Sequence, residues 1–278
     1  MSKPIVVGID GRPDSAIALD WAIAEAARRG LRLTVLHVGE AWSRPVAGGP
    51  LMTAPQTHGQ KVVADAAAVI QAMNRDIRFS SLIVPGTPAD VLASWATDAS
   101  MIVLGNRNRG ALTTAALGSV SGTVASQARC PVVVVRSLAS DQLPVLLGVD
   151  GSAVTTAAVE FAFDYASRHK TWVRAVHTWH RSMFPGGDDI AEERAAHFRI
   201  VSDALAAARD RHPTVPVRIS RPVGRAEEVL SEQSMEAQLL VVGTRGHSPK
   251  AGLLLGSVSQ ALLRTVSCPL AVIPAEER

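Results

Sequence analysis

Two aspartates, each closing an apolar run and followed by glycine, are the first residues whose type and setting could do chemistry. They are Asp10 in Ile5-Val-Val-Gly-Ile-Asp-Gly11 and Asp150 in Val145-Leu-Leu-Gly-Val-Asp-Gly151. A carboxylate there can accept hydrogen bonds from a ribose hydroxyl or an adenine amino group. It can equally close a turn or cap the next helix. A second set is glycine-rich: Gly243-Thr-Arg-Gly246, nine residues, then Gly256-Ser-Val-Ser259. Glycine lets backbone turn with positive φ or approach a phosphate closely. Amides of such a loop, with the positive end of a helix starting near Ser257, make an anion site. Ser257 and Ser259 add hydroxyls, and Arg245 and Lys250 are charge partners. A third set, His37-Val38 and His177-Thr178, could offer backbone groups to an adenine edge, each histidine being expected as a partly buried packing or hydrogen-bonding residue.

Other chemistries find no footing. No Gly-x4-Gly-Lys-Ser/Thr run exists, and no Gly-x-Gly-x-x-Gly follows the first apolar run, so neither a P-loop nor a dinucleotide fingerprint is present. Gly-x-Ser-x-Gly is absent. His177 and His180 have no Cys or carboxylate at metal-ligand spacing, so a zinc site is rejected. Cys130 and Cys268 each precede proline at the head of an apolar run and are expected to pack as small hydrophobes.

The elements that must position these residues occur twice. Asp10 and Asp150 are 140 residues apart, as are His37 and His177. Gly105 and Gly243, Gly118-Ser-Val-Ser and Gly256-Ser-Val-Ser, and Cys130-Pro and Cys268-Pro are 138 apart. One duplicated domain therefore covers residues 1–138 and 144–278, joined by the polar segment 137–142. Within repeat one, Ile5–Ile9, Leu31–Val38, Ile77–Val84, Met101–Gly105 and Val132–Arg136 read as strands. Residues 14–29, 57–75, 87–97 and 119–129 read as helices, the third opened by a Thr87-Pro88 cap pair. Continuous apolar strands alternating with amphipathic helices predict a doubly wound, five-stranded parallel sheet in each repeat. Ligands of such sheets sit beyond the carboxyl ends of the strands, where strand order reverses.

Composition bounds the partners. The chain has 278 residues, 47% hydrophobic and 19% charged, which excludes wholesale disorder. Its net charge of +3 is too small to grip a nucleic-acid backbone strongly. No apolar run approaches the ~20 residues of a membrane span. With two cysteines and no signal-peptide pattern before Ile5, a cytoplasmic protein is expected.

Together these motifs resemble the universal stress protein family in its tandem form. The resemblance rests on Val-Gly-Ile-Asp-Gly (7–11), Leu-His-Val (36–38), Val-Leu-Gly (103–105), Gly118-Ser-Val-Ser and Cys-Pro-Val-Val-Val-Val (130–135), and on their counterparts in repeat two. The family's ATP-binding branch carries Gly-x2-Gly-x9-Gly-Ser/Thr. Repeat two meets it in full, whereas repeat one has Asn108 in place of the second glycine. The resemblance implies a Rossmann-like fold, with ATP bound in each repeat and Mg²⁺ bridging the phosphates. Asp10, Asp150 and the backbone at Ile9 and Val149 would contact adenine or ribose, and Val38 and Thr178 would border the base. Gly105 and Gly243 would lie under the ribose-phosphate, with Asn108 and Gly246 beside the phosphates. Gly118, Ser119 and Ser121, with Gly256, Ser257 and Ser259, would cradle the phosphate chain. It also implies a nucleotide-dependent stress regulator with a protein partner, not an enzyme, and leaves room for a homodimer of the two-repeat chain. The rival is a duplicated interaction scaffold that binds no nucleotide. An adenylyl-transferring enzyme is a third reading, but it lacks a catalytic His or Lys motif after the first strand.

In the family the final strands pair across a two-fold axis, which here would relate the two halves as an intrachain pseudo-dimer. Those strands, Val132–Val135 and Leu270–Ile273, are apolar throughout, and a bare apolar edge invites association. Residues 1–138 expressed alone are therefore expected to dimerise or precipitate. A folded monomer at micromolar concentration in sedimentation analysis would count against that pairing.

Overall fold

The computed structural model describes residues 2–39, 54–73, 76–106, 119–179, 190–244 and 255–275. Two compact units divide the chain, Met1–Arg136 and Ser137–Arg278. The first runs β1 (Ile5–Ile9), α1 (Pro13–Arg29), β2 (Leu33–Gly39), α2 (Ala54–Ala72), β3 (Phe79–Pro85), α3 (Pro88–Trp95), β4 (Met101–Gly105), α4 (Ser119–Gln127) and β5 (Val132–Val135). The second repeats the order: β6 (Val145–Gly148), α5 (Ala153–His169), β7 (Val173–Val176), α6 (Ile190–Arg211), β8 (Val217–Ser220), α7 (Ala226–Gln233), β9 (Leu239–Gly243), α8 (Ser257–Thr265) and β10 (Leu270–Ile273).

Every strand pairing within a unit is parallel. The order is β3-β2-β1-β4-β5 in the first unit and β8-β7-β6-β9-β10 in the second. Strand order thus reverses beside β1 and beside β6, and the crevice at their carboxyl ends is where α/β sheets take ligands. The expected doubly wound parallel sheet is present in both repeats.

Parallel strands clothed by helices on both faces must be apolar at nearly every position. Ile5, Val6 and Val7, and Val145, Leu146 and Leu147, are accordingly fully buried. Helix α1 presents Ala18, Leu19, Ala22, Ile23 and Ala26 to its sheet, and α5 answers with Ala158, Val159, Ala162, Phe163 and Ala166. Small residues at three of these five positions let each helix lie close to the strands.

Several boundaries differ from the sequence reading, each for a local reason. Strand β2 begins at Leu33 because Leu31 still belongs to the end of α1: its amide donates to the Ala26 carbonyl (3.0 Å), across a left-handed Gly30 at φ 63°. Repeat two places Lys170 in the same left-handed cap, at φ 52°. Thr87 stands at the N-cap of α3 with Pro88 behind it, yet its hydroxyl makes no capping bond. The segment 137–142, read as the connection joining the repeats, is fastened to the second unit. Ser137 Oγ donates to the Ser267 carbonyl (2.7 Å), and Gln238 Nε2 donates to the Asp141 carbonyl (3.1 Å). No helix among the described residues is long and apolar enough to cross a membrane.

Cys130 and Cys268 are buried and not disulfide-bonded, in keeping with their apolar setting. Burial pushes the Cys130 thiol up to about 12, against a smaller opposing pull from a backbone hydrogen bond at Ile102. The unfolded chain therefore loses this proton first as pH rises. The contribution is fully present below the ordinary thiol value of 9.0 and is lost on the way to about 12. Urea unfolding compared at about pH 8 and about pH 10.5 should show a steeper loss of stability for the wild type than for Cys130→Ala. Equal losses would place the ionisation elsewhere.

Candidate functional site

Strand β1 ends where its chain must turn sharply into α1, and Asp10-Gly11 makes that turn. Gly11 takes φ 78° and Gly151 takes φ 80°, a region that disfavours side chains. Asp10 Oδ1 accepts from the Arg12 amide (3.1 Å), while the Asp10 amide donates to Ser15 Oγ (3.3 Å). Ser15 in turn donates to the Arg12 carbonyl (2.8 Å). Asp150 is held more tightly. Its Oδ1 accepts from the Ser152 amide (2.9 Å), the Ser152 hydroxyl (2.7 Å) and the Thr155 hydroxyl (2.5 Å). Both aspartates thus close a turn, and one carboxylate oxygen of each is engaged in that work.

His37 in β2 and His177 just after β7 brace the residue at the end of the neighbouring strand. Nδ1 of His37 lies 2.9 Å from the Ile9 carbonyl, and Nδ1 of His177 lies 2.8 Å from that of Val149. A carbonyl only accepts, so Nδ1 carries the proton in both rings. Both are buried, as a hydrogen-bonding histidine was expected to be. The bonds occupy one lone pair on the very carbonyls expected to face adenine. A partner histidine on the next helix escaped the sequence reading. His177 Nε2 stands 2.9 Å from Nδ1 of His197 on α6, and His58 on α2 meets the His37 ring edge-on at 5.9 Å. His58 and His197 lie 139 residues apart, inside the repeat offset, which is the signal that could have found them.

In repeat one five of the expected residues converge. Ile9, Asp10, Val38, Gly105 and Ser121 line one cleft, floored by Leu36, Leu92 and Leu104 and rimmed by Arg12, Asp14 and Ser15. An apolar floor beside two carboxylates, a guanidinium and two hydroxyls can hold a flat ring and accept hydrogen bonds from hydroxyl or amino donors. Gly105 has a structural reason as well: a Cβ there would lie 2.4 Å from the Asp14 carbonyl oxygen. Close approach of α1 to β4, not a ligand, is what forbids a side chain at that position.

In repeat two Val149 is buried, and Asp150, Thr178 and Gly243 stand half-buried at the strand ends. Gly256 caps α8, its amide donating to the Thr244 carbonyl (2.6 Å), and Ser257 is exposed at the first helical position. Ser259, expected on the phosphates, instead turns inward. Its buried hydroxyl donates to the Gly243 carbonyl (2.7 Å), tying the first turn of α8 to the end of β9. Asn108, Gly118, Arg245, Gly246 and Lys250 lie outside the described residues. Ser119 opens α4.

A doubly wound parallel sheet duplicated in one chain, with an Asp-Gly turn at the carboxyl edge of each copy, defines a tandem α/β class. Comparison with known proteins gives the family. The universal stress protein family matches residues 1–136 and again 143–274, and the chain belongs to it as a two-domain member. A universal stress protein of Mycobacterium tuberculosis strain H37Rv is 37% identical over 295 residues, covering 98% of this chain and 99% of that one. A second from the same strain is 33% identical over 288 residues, covering 98% and 96%. The crystal structure of a universal stress protein from Archaeoglobus fulgidus superposes with a TM-score of 0.73 at 20% identity, covering 99% of this chain and 97% of that one.

The three bonds on Asp150 Oδ1 make a stability prediction. Asp150→Ala leaves the amide and hydroxyls of the turn without their acceptor, at a cost of about 1–3 kcal/mol. Thermal unfolding without ligand should fall by several degrees. An unchanged midpoint would mean that water replaces the carboxylate at no cost.

Proposed function

We propose that both repeats bind ATP at the carboxyl edges of β1, β2 and β4 and of β6, β7 and β9, and that the protein is a nucleotide-gated regulator of the stress response. Family membership supports the stress-response role. One observation supports the nucleotide: Asp10, Val38, Gly105 and Ser121, from four separate elements, line a single cleft at the switch point of the sheet. Adenine would lie against the apolar floor between Ile9 and Val38. Asp10 and Asp14 would accept from ribose hydroxyls or the exocyclic amine. The phosphates would run toward the start of α4, and in repeat two toward the exposed Ser257 at the start of α8, where unpaired helix amides favour anions. The side-chain groups of the cleft able to ligate a metal, Asp10, Asp14, Ser15 and Ser121, offer oxygens, which fits Mg²⁺. The ion would neutralise phosphate charge and keep most of its water shell. Turnover is not part of the role, and any hydrolysis would be slow. A protein partner would read the nucleotide state, in the cytoplasm.

The scaffold reading has specific support too. Gly105 is demanded by packing against Asp14, and the Ser259 hydroxyl is spent on Gly243, so two residues of the motif have work without any ligand. Titration calorimetry separates the two readings. ATP should bind at two sites per chain, with repeat two tighter because Asn108 replaces a glycine in repeat one. If the site needs positive φ at that position, an ordinary side chain costs about 1–2 kcal/mol and asparagine less, so the difference should be tenfold or smaller. Asn108→Gly should tighten the weaker site, and Asp10→Ala and Asp150→Ala should each weaken one site. No saturable binding in the wild type would support the scaffold, and a repeat-one site that is already the tighter would overturn the asymmetry.

A further inference from the structure

The two repeats differ most tellingly away from the strand ends. In repeat one Thr34 on β2 is aligned with Ser80 on β3, and their hydroxyls lie 3.4 Å apart. The corresponding aligned pair in repeat two is Arg174 on β7 and Arg218 on β8. Two arginines are thus direct cross-strand neighbours, a pairing of like charges that is unfavourable. Both pack on one ring, the indole of Trp172, which stands two residues before Arg174 and so on the same face. The Arg218 Cζ is 4.7 Å from the centre of the indole and the Arg174 Cζ is 5.4 Å from it.

The only carboxylate ion-paired to this cluster among the described residues is Glu236, at the end of the turn after α7, whose Oε2 accepts from Arg174 Nη1 at 3.4 Å. Glu236 is itself 74% exposed, whereas Arg174 is 23% exposed. Arg218 is exposed and meets only the Trp172 ring among the described residues. Among the described residues, two cations thus stand against one exposed carboxylate, over an aromatic floor. The Thr34–Ser80 pair shows that the fold itself does not require arginine here.

We propose that Trp172, Arg174 and Arg218 form a docking surface for an acidic segment of a partner protein. A partner carboxylate would seat between the two guanidinium groups, taking parallel N–H donors from Arg218 and competing with Glu236 for Arg174. The flat indole would carry the aliphatic part of the same side chain. Two arginines suit one or two carboxylates, whereas a nucleic-acid strand draws its affinity from a longer row of cations. The surface belongs to repeat two alone and is independent of the nucleotide reading.

The test uses the whole chain, uniformly labelled with ¹⁵N, and a synthetic dodecapeptide of alternating glutamate and serine. Its glutamine counterpart, inorganic phosphate and a single-stranded DNA oligonucleotide serve as comparison ligands. Saturable shifts of the Trp172 indole N–H, assigned by Trp172→Phe, are expected with the glutamate peptide and not with the glutamine one. Arg218→Gln should weaken binding several-fold. The double change Arg174→Thr, Arg218→Ser, which installs the repeat-one pair, should weaken it at least tenfold. Both variants should keep the wild-type melting temperature and ATP affinity. The proposal is overturned if the peptide leaves the Trp172 signal unmoved, if the Arg218→Gln variant binds it as well as the wild type, or if phosphate or the oligonucleotide binds this face more tightly than the peptide.

Discussion

A strand buried on both faces leaves its chain little freedom where it emerges, and in this protein that exit shapes the candidate site. At the ends of β1 and β6 the backbone must turn within two residues into a helix packed on the same sheet. The aspartate that follows closes the turn through Oδ1, the glycine after it supplies a positive φ, and a buried histidine from the neighbouring strand fixes the last carbonyl. Gly105 lets the first turn of α1 settle directly against β4, because a methyl group there would strike the Asp14 carbonyl. The cleft of repeat one is what remains between these fixed pieces. Its walls are set by the fold before any ligand arrives, and such pre-organisation lowers the cost of binding.

The same economy explains why single motif residues are poor witnesses of function. A carboxylate oxygen has more than one lone pair, and a carbonyl held by histidine has a second one, so a turn or a brace does not by itself use up the group. Structural and binding duties are compatible at Asp10, Asp150, Ile9 and Val149. At Ser259 they compete, since its buried hydroxyl has gone to the Gly243 carbonyl. Convergence of residues from β1, β2, β4 and α4 on one cleft is therefore better support for a site than any one of them.

Much of this was legible in the residues, because duplication wrote each message twice. The apolar run at Ile5–Ile9 could only be a strand covered on both sides, and its recurrence at Val145 fixed the period. Element ends were less legible where a cap decides them: nothing in Leu31-Arg32 announces that the Leu31 amide would turn back to Ala26. The direction a hydroxyl faces at the start of a helix is equally silent in sequence, which is why Ser259 and the uncapped Thr87 differ from expectation. His197 was missed because it sits on a helix 20 residues beyond its partner, at a spacing that only packing of α6 on the sheet makes meaningful.

Duplication followed by divergence leaves one domain as the internal reference for the other. Where the repeats agree, at the Asp-Gly turn and the strand-two histidine, the fold and the cleft impose the residue. Where they differ, at Lys170 for Gly30 or Arg174 and Arg218 for Thr34 and Ser80, the constraint has been lifted or replaced. The claim that the shared edge is a nucleotide site is tested most directly by mapping backbone amide shifts when Mg-ATP is added to the ¹⁵N-labelled chain. The account predicts saturable changes at Asp10, Val38 and Ser121 and at Asp150, Thr178 and Ser257, with the far ends of the same strands undisturbed. Saturation that leaves both sets unmoved while amides elsewhere respond, or no saturable change at all, would contradict it.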